Sequence, residues 1–228
     1  MRLTLPPELI ILDFDGVVAD SELLANTLLA EFLTNEGFPT TTEQAIARYM
    51  GRRWSDAEAR IAKDLGRPLS ADFQERHRAH SSGRMRTSVQ PIAGVHAFLH
   101  AHRDRKFCVA SSSNPGWLDH NVDKFGLRGA LGTNLFSGVA VKNGKPAPDI
   151  FFHAAGQMGV APERCAVIED SAAGIEGAVA AGMTAIGFLG GAHIRAGHAD
   201  ALLAKGAHAL AQSYDDVARL LKLQRPDR

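Results

Sequence analysis

The chain has 228 residues, 45% hydrophobic and 22% charged, the balance of a globular protein able to bury a sizeable core. Lysine plus arginine equals aspartate plus glutamate at 25 each, so no net field points towards nucleic acid or an anionic membrane. No apolar run approaches the roughly 18 residues of a membrane helix, and the two cysteines, Cys108 and Cys165, sit inside apolar stretches as reduced core residues do. A soluble, cytoplasmic protein with no nucleic-acid or membrane partner is expected.

The first expected element is a strand at Leu9 to Leu12, running straight into Asp13-Phe14-Asp15-Gly16. Its apolar residues do not alternate, which fits a strand covered on both faces in a parallel sheet. Four helical patterns follow, at Ser21 to Gly37, Thr42 to Tyr49, Ser55 to Gly66 and Ser70 to Met85, each with a capping residue or a terminal glycine. A second strand, Phe107 to Ala110, leads into Ser111-Ser112-Ser113-Asn114, and a helix opens at Pro115. Pro148 and Asp149 start another helix towards Met158. Ala166 to Ile168 is a strand ending in Glu169-Asp170-Ser171, and the helix from Ala172 to Ala181 is closed by Gly182. Thr184 to Phe188 is a fourth strand.

Strands alternating with helices predict an α/β fold with a parallel sheet, whose ligands bind at the carboxyl ends of the strands. All three polar clusters lie at that edge. Asp13 and Ser111 are 98 positions apart, whereas a βαβ unit needs only about 30 residues. Residues 20–88 therefore read as an inserted α-helical cap domain, and residues 1–19 with 89–228 as a Rossmann-like catalytic core. An insertion emerging at the ligand edge would act as a lid that excludes water and selects substrates.

The residues at the edge divide into two chemical kinds. Asp13 and Asp15 sit where a strand ends and Gly16 permits a sharp turn, so one acid can serve as nucleophile and the other as proton donor and acceptor. Glu169 and Asp170 add negative charge at the same edge, which calls for a cation. Oxygen donors without a competing Cys/His set suit Mg2+ better than zinc. Ser111 and the amides of Ser112 to Asn114, just before a helix, favour an anion, and Lys145, held extended before Pro146, offers a fixed cation to a phosphate oxygen.

Taken in order, these clusters closely resemble the haloacid dehalogenase-like hydrolase superfamily, in particular its helical-cap phosphatase branch with the beta-phosphoglucomutase-like members. The resemblance rests on Asp13-Phe14-Asp15-Gly16-Val17 with Asp20-Ser21-Glu22, on Val109-Ala110-Ser111 and on Gly144-Lys145-Pro146-Ala147-Pro148-Asp149. It continues through Ile168-Glu169-Asp170-Ser171, Gly174-Ile175 and Ala180-Ala181-Gly182-Met183, and so spans about residues 9–190. It implies Asp13 as nucleophile, Asp15 as general acid/base, and Ser111 and Lys145 as phosphoryl ligands. It also implies Mg2+ held by the Asp13 carboxylate, the Asp15 carbonyl and Asp170, with Glu169 either direct or one layer behind. Dehalogenase members lack the second aspartate, so Asp15 argues against that chemistry.

The resulting expectation is a Mg2+-dependent phosphatase acting on a small phosphorylated metabolite, a sugar phosphate, in a monomer or weak homodimer. The alternatives are a hexose-phosphate mutase, which returns the phosphoryl group to the sugar, and a non-catalytic binding protein of the same fold. Retention of Asp13, Asp15, Ser111, Lys145 and Asp170 counts against the last. Arg52 and Arg53 in the cap could bind a hydroxyl-rich or second anionic group, with Trp54 closing the pocket or packing between cap helices. Lys63 lacks the context of a Schiff-base lysine, and His193 and His198, five apart, share no helix face and read as structural or loop histidines.

Overall fold

The computed structural model describes residues 6–50 and 54–223. Arg52 and Arg53 lie outside the described residues. In chain order β1 (Leu9–Leu12) is followed by α1 (Glu22–Asn35), α2 (Thr42–Tyr49), α3 (Trp54–Leu65) and α4 (Phe73–Ser88). Next come α5 (Val95–Ala101), β2 (Lys106–Ser111), α6 (Pro115–Lys124), α7 (Arg128–Leu131) and β3 (Leu135–Ser137). The chain then forms α8 (Asp149–Met158), β4 (Cys165–Glu169), α9 (Ala172–Ala180) and β5 (Thr184–Phe188). It ends with α10 (His198–Ala204), β6 (Ala209–Ala211) and α11 (Tyr214–Leu220). These elements divide into two compact units, Met1–Ala19 with Pro91–Arg228, and Asp20–Gln90.

The larger unit holds one six-stranded sheet in the order β3-β2-β1-β4-β5-β6, and every neighbouring pair is parallel. This is the doubly wound α/β arrangement, in which the chain winds outwards on one side of β1 and then crosses to the other. The reversal falls between β1 and β4, so the crevice at their carboxyl ends is where such a sheet binds ligands. Every residue of β1, β4 and β5 is buried, which explains why those runs are apolar without alternation. On one face of the sheet Leu9, Ile11, Val167 and Ala185 pack with Phe151 of α8 and Ile175 of α9 in a continuous core. The edge strands β3 and β6 are only three residues long and partly exposed, so no sustained apolar run marks them in the sequence.

The smaller unit is a set of four helices around Leu29, Phe32, Leu33, Tyr49, Ile61 and Phe73. A reciprocal capping box between Thr41 and Gln44 starts α2. Trp54 stacks on His77 of α4, with ring centroids 4.7 Å apart and planes inclined by 14°. It therefore packs among the helices of this unit.

In the larger unit, Tyr214 opens α11 behind its N-cap, Ser213, and is buried between Phe98 and Phe188. Its hydroxyl donates to the Val17 carbonyl at 2.7 Å, tying the end of the chain to the turn that follows β1. Tyr214→Phe leaves that buried carbonyl without its donor. A loss of about 1–3 kcal/mol is expected, measured as a lower urea midpoint at unchanged slope.

Candidate active site

Asp13 is the first residue after β1, and its N–H donates to the carbonyl of Ile168 in β4 at 2.9 Å. The chain then folds into a tight turn, in which the N–H groups of Val18 and Ala19 both donate to the Phe14 carbonyl at 2.8 Å. Gly16 makes the turn possible in two ways. Its φ of +84° lies in the left-handed region, and a Cβ there would stand 2.0 Å from Asp170 Oδ2. The missing side chain is what lets the loops after β1 and β4 approach each other.

Lys145 comes from the loop before α8, whose shape is held by Asp149 Oδ1 accepting from the backbone N–H and side-chain amide of Asn143. Its ammonium donates to Asp13 Oδ1 at 2.5 Å, Glu169 Oε1 at 2.6 Å and the Ala110 carbonyl at the end of β2 at 3.0 Å. The lysine side chain is 6% exposed. Burial opposes its charge, but Asp13 and Glu169 outweigh burial and raise its pKa, so the ammonium stays charged. Glu169 is engaged on both oxygens, because Oε2 accepts from the Ser171 N–H at 2.7 Å and the Ser171 hydroxyl at 2.9 Å. Helix α9 begins against this carboxylate: a Cβ at Gly174 would lie 1.7 Å from Glu169 Oε1.

Asp170 completes the acidic group. Asp13, Glu169 and Asp170 are buried and offer carboxylate oxygens within 4.8 Å of one another. Burial pushes the Asp13 carboxyl well above the usual carboxylate range, and repulsion from Glu169 and Asp170 adds to this against the pull of Lys145. Burial also raises Asp170, with Glu169 as the main repulsive neighbour. When all three carboxylates are ionised they exceed the one ammonium by two negative charges, an excess that a divalent cation would balance. The donors are all hard oxygens and no cysteine joins them, a set that fits Mg2+ rather than a thiophilic metal.

Two histidines support the same loop. His193 is 1% exposed, with Nε2 2.9 Å from Asp170 Oδ2, and His198 Nε2 lies 2.6 Å from the Asp170 carbonyl. As read from the sequence they share no helix face: His193 is in a loop and His198 opens α10.

Asp15, two residues beyond Asp13, has a different environment. Ser113 Oγ donates to its Oδ2 at 2.5 Å, and the Trp117 indole Nε1 donates to its Oδ1 at 3.0 Å. The sequence reading assigned neither side chain a role, because these bonds span 98 and 102 positions. Ser111, which ends β2, is buried, and its hydroxyl oxygen accepts from the Ser113 N–H at 3.1 Å; Ser112 is exposed on the same loop. The structure thus brings Asp13, Lys145, Glu169 and Asp170 into direct contact or ligand distance, and places Ser111 at the end of β2 and Asp15 and Ser112 on the adjoining loops.

Residues 7–182 match the sequence model of the haloacid dehalogenase-like hydrolase family. The chain is 31% identical to fructose-1-phosphate phosphatase of Escherichia coli K12 over 182 residues, covering 78% of this chain and 94% of that protein. It is 27% identical to 6-phosphogluconate phosphatase of the same organism over 187 residues, covering 82% and 84%. A conserved haloacid dehalogenase-like protein of unknown function from Agrobacterium tumefaciens superposes with a TM-score of 0.86 at 34% identity, over 94% of this chain and 97% of that one.

Two outcomes follow from the site's packing and charge. Gly174→Ala forces Glu169 off its bonds to Lys145 and Ser171, and a loss of more than about 2 kcal/mol is expected in chemical denaturation. The second concerns pH. Because the folded protein without metal holds Asp13 and Asp170 with raised pKa values, it binds more protons than the unfolded chain above the ordinary carboxylate range. Their contribution to stability is therefore lost as pH rises, and a divalent cation restores it by replacing the protons. Thermal melts with and without Mg2+ should show a larger metal-induced rise in Tm at about pH 7 than at about pH 5.

Proposed function

The chain belongs to the haloacid dehalogenase-like hydrolases, and from that premise we propose that it is a Mg2+-dependent phosphatase acting on a small sugar phosphate through an aspartyl-phosphate on Asp13. The observation that carries this reading is Asp13 itself, buried at the end of the central strand, paired with Lys145 and within ligand distance of Asp170. The two phosphatases of phosphorylated sugars among its relatives support the substrate class.

In the first half-reaction an Asp13 oxygen attacks phosphorus while the bond from phosphorus to the sugar oxygen breaks, and Asp15 gives its proton to that departing oxygen. In the second, a water oxygen attacks the phosphoryl group as its bond to Asp13 breaks. Asp15 takes the proton from the water, and inorganic phosphate leaves. Lys145 holds a phosphoryl oxygen beside the nucleophile. The Ser111 hydroxyl, whose oxygen already accepts from Ser113, has its own proton to donate to a second one. Asp13 and Asp170 are the carboxylate ligands for the cation, and Glu169, with both oxygens engaged, stands behind them and fixes Lys145. When bound, Mg2+ neutralises the charge that would keep an anionic ester from an anionic nucleophile. Residues 20–90, inserted directly after the Asp13 turn, are assigned the choice of leaving group. Arg52 and Arg53, outside the described residues, are candidate contacts to it.

Asp13→Asn should lower kcat on the order of 10⁴-fold or more, with the fold retained by circular dichroism. Chelation should abolish turnover, and added Mg2+ should restore it. Product analysis separates hydrolysis from transfer. With a hexose 1-phosphate and a trace of the matching bisphosphate, phosphorus NMR should show inorganic phosphate accumulating. Clean conversion to the 6-phosphate without phosphate release would replace this reading with a mutase.

A further inference from the structure

We propose that Trp117 and Ser113 are positioning residues for the proton-transfer step, holding the Asp15 carboxylate by one neutral donor on each oxygen. The inference rests on the reading of Asp15 as general acid and base. Ser113 Oγ donates to Oδ2 at 2.5 Å and Trp117 Nε1 to Oδ1 at 3.0 Å, so neither the position nor the plane of the carboxylate is free.

Both donors are themselves fixed. Asn114 caps α6, and its side chain accepts from the Trp117 N–H at 3.0 Å, while the Trp117 carbonyl accepts from the buried Asn121 side chain at 2.9 Å. The Ser113 carbonyl accepts from the buried Ser137 hydroxyl of β3 at 2.6 Å. Asp15 thus takes its direction from the helix and strand that flank its neighbour β2, while its own backbone belongs to the turn after β1. Trp117 is only partly buried, so water could satisfy its indole N–H without Asp15. The consequence of the bond falls on the carboxylate. Proton transfer needs that orientation, since a general acid acts within hydrogen-bond reach and a misplacement of about 1 Å can cost about 10²-fold.

The test exploits how much a leaving group depends on being protonated. kcat/KM is measured for p-nitrophenyl phosphate, whose phenolate leaves readily, and for phenyl phosphate, whose phenolate leaves poorly. The ratio of the two should rise roughly tenfold in Trp117→Phe and in Ser113→Ala. Ser113→Thr, which keeps the hydroxyl, should retain the ratio of the unaltered enzyme. Asp15→Asn should raise the ratio at least as far as either variant. A merely structural role would lower both substrates together and leave the ratio unchanged. If Asp15→Asn raises the ratio but Trp117→Phe and Ser113→Ala do not, this proposal fails and the assignment of Asp15 stands. If Asp15→Asn leaves it unchanged, Asp15 is not the proton donor and both fall. Should Trp117→Phe lose its fold by circular dichroism, the Ser113 pair decides.

Discussion

The bond network of a single ammonium organises the carboxyl edge of the sheet. Lys145 reaches from the loop before α8 to Asp13 beyond β1, Glu169 at the end of β4 and the Ala110 carbonyl in β2. It therefore joins three adjacent strands where the strand order reverses. The arrangement is costly in isolation, because three buried carboxylates surround one positive charge. Pairing satisfies only part of that charge. What remains is an electrostatic demand that, on the proposed reading, a divalent cation would meet, letting an anionic substrate enter a site that would otherwise repel it.

Keeping so much charge together requires close backbone approach, and glycine supplies it twice. At Gly16 the turn after Asp13 lies against Asp170, and at Gly174 the first turn of α9 lies against Glu169. Neither position has space for a Cβ, so the carboxylates and the turns that support them fit only as a set. Tyr214 holds the same turn from outside through Val17, and burial keeps its hydroxyl protonated as a donor. Rigid placement of the acids is thus obtained from backbone contacts rather than from further charged side chains.

The parts legible in the sequence were those with a local physical signature. Continuous apolar runs at β1, β2, β4 and β5 announced buried parallel strands, and the acids and serines ending three of them announced the functional edge. The strands β3 and β6 had no such signature, being short and half-exposed. Side chains that act across the fold were equally silent. Lys145 could be read as a fixed cation before a proline, but its partners Asp13 and Glu169 lie 132 and 24 positions away. Trp117 lies in the first turn of α6, and nothing in its sequence neighbourhood encodes a bond to Asp15. His193 was set aside on helix spacing, yet it reaches Asp170 from a loop.

Asp13 and Asp15 are identical side chains on one turn in different environments, and on the proposed mechanism they take different roles. Asp13 is buried, meets a charged partner and shares its surroundings with Glu169 and Asp170, so its environment concerns charge and metal. Asp15 is partly exposed, and it accepts from a serine hydroxyl and an indole, neutral donors that set direction. A nucleophile must be held beside an electrophile and relieved of its repulsion from the ester; a proton carrier must be aimed and able to exchange. Separating acids by environment is a general route to separate roles. Much of the support comes from different elements: β4 and the loop before α8 serve Asp13, with Lys145 also anchored on Ala110 of β2, whereas α6 and the loop after β2 serve Asp15. On the proposed roles, the aim of the proton carrier would depend mainly on α6 and the loop after β2, and the charge balance of the nucleophile on Lys145 and Glu169.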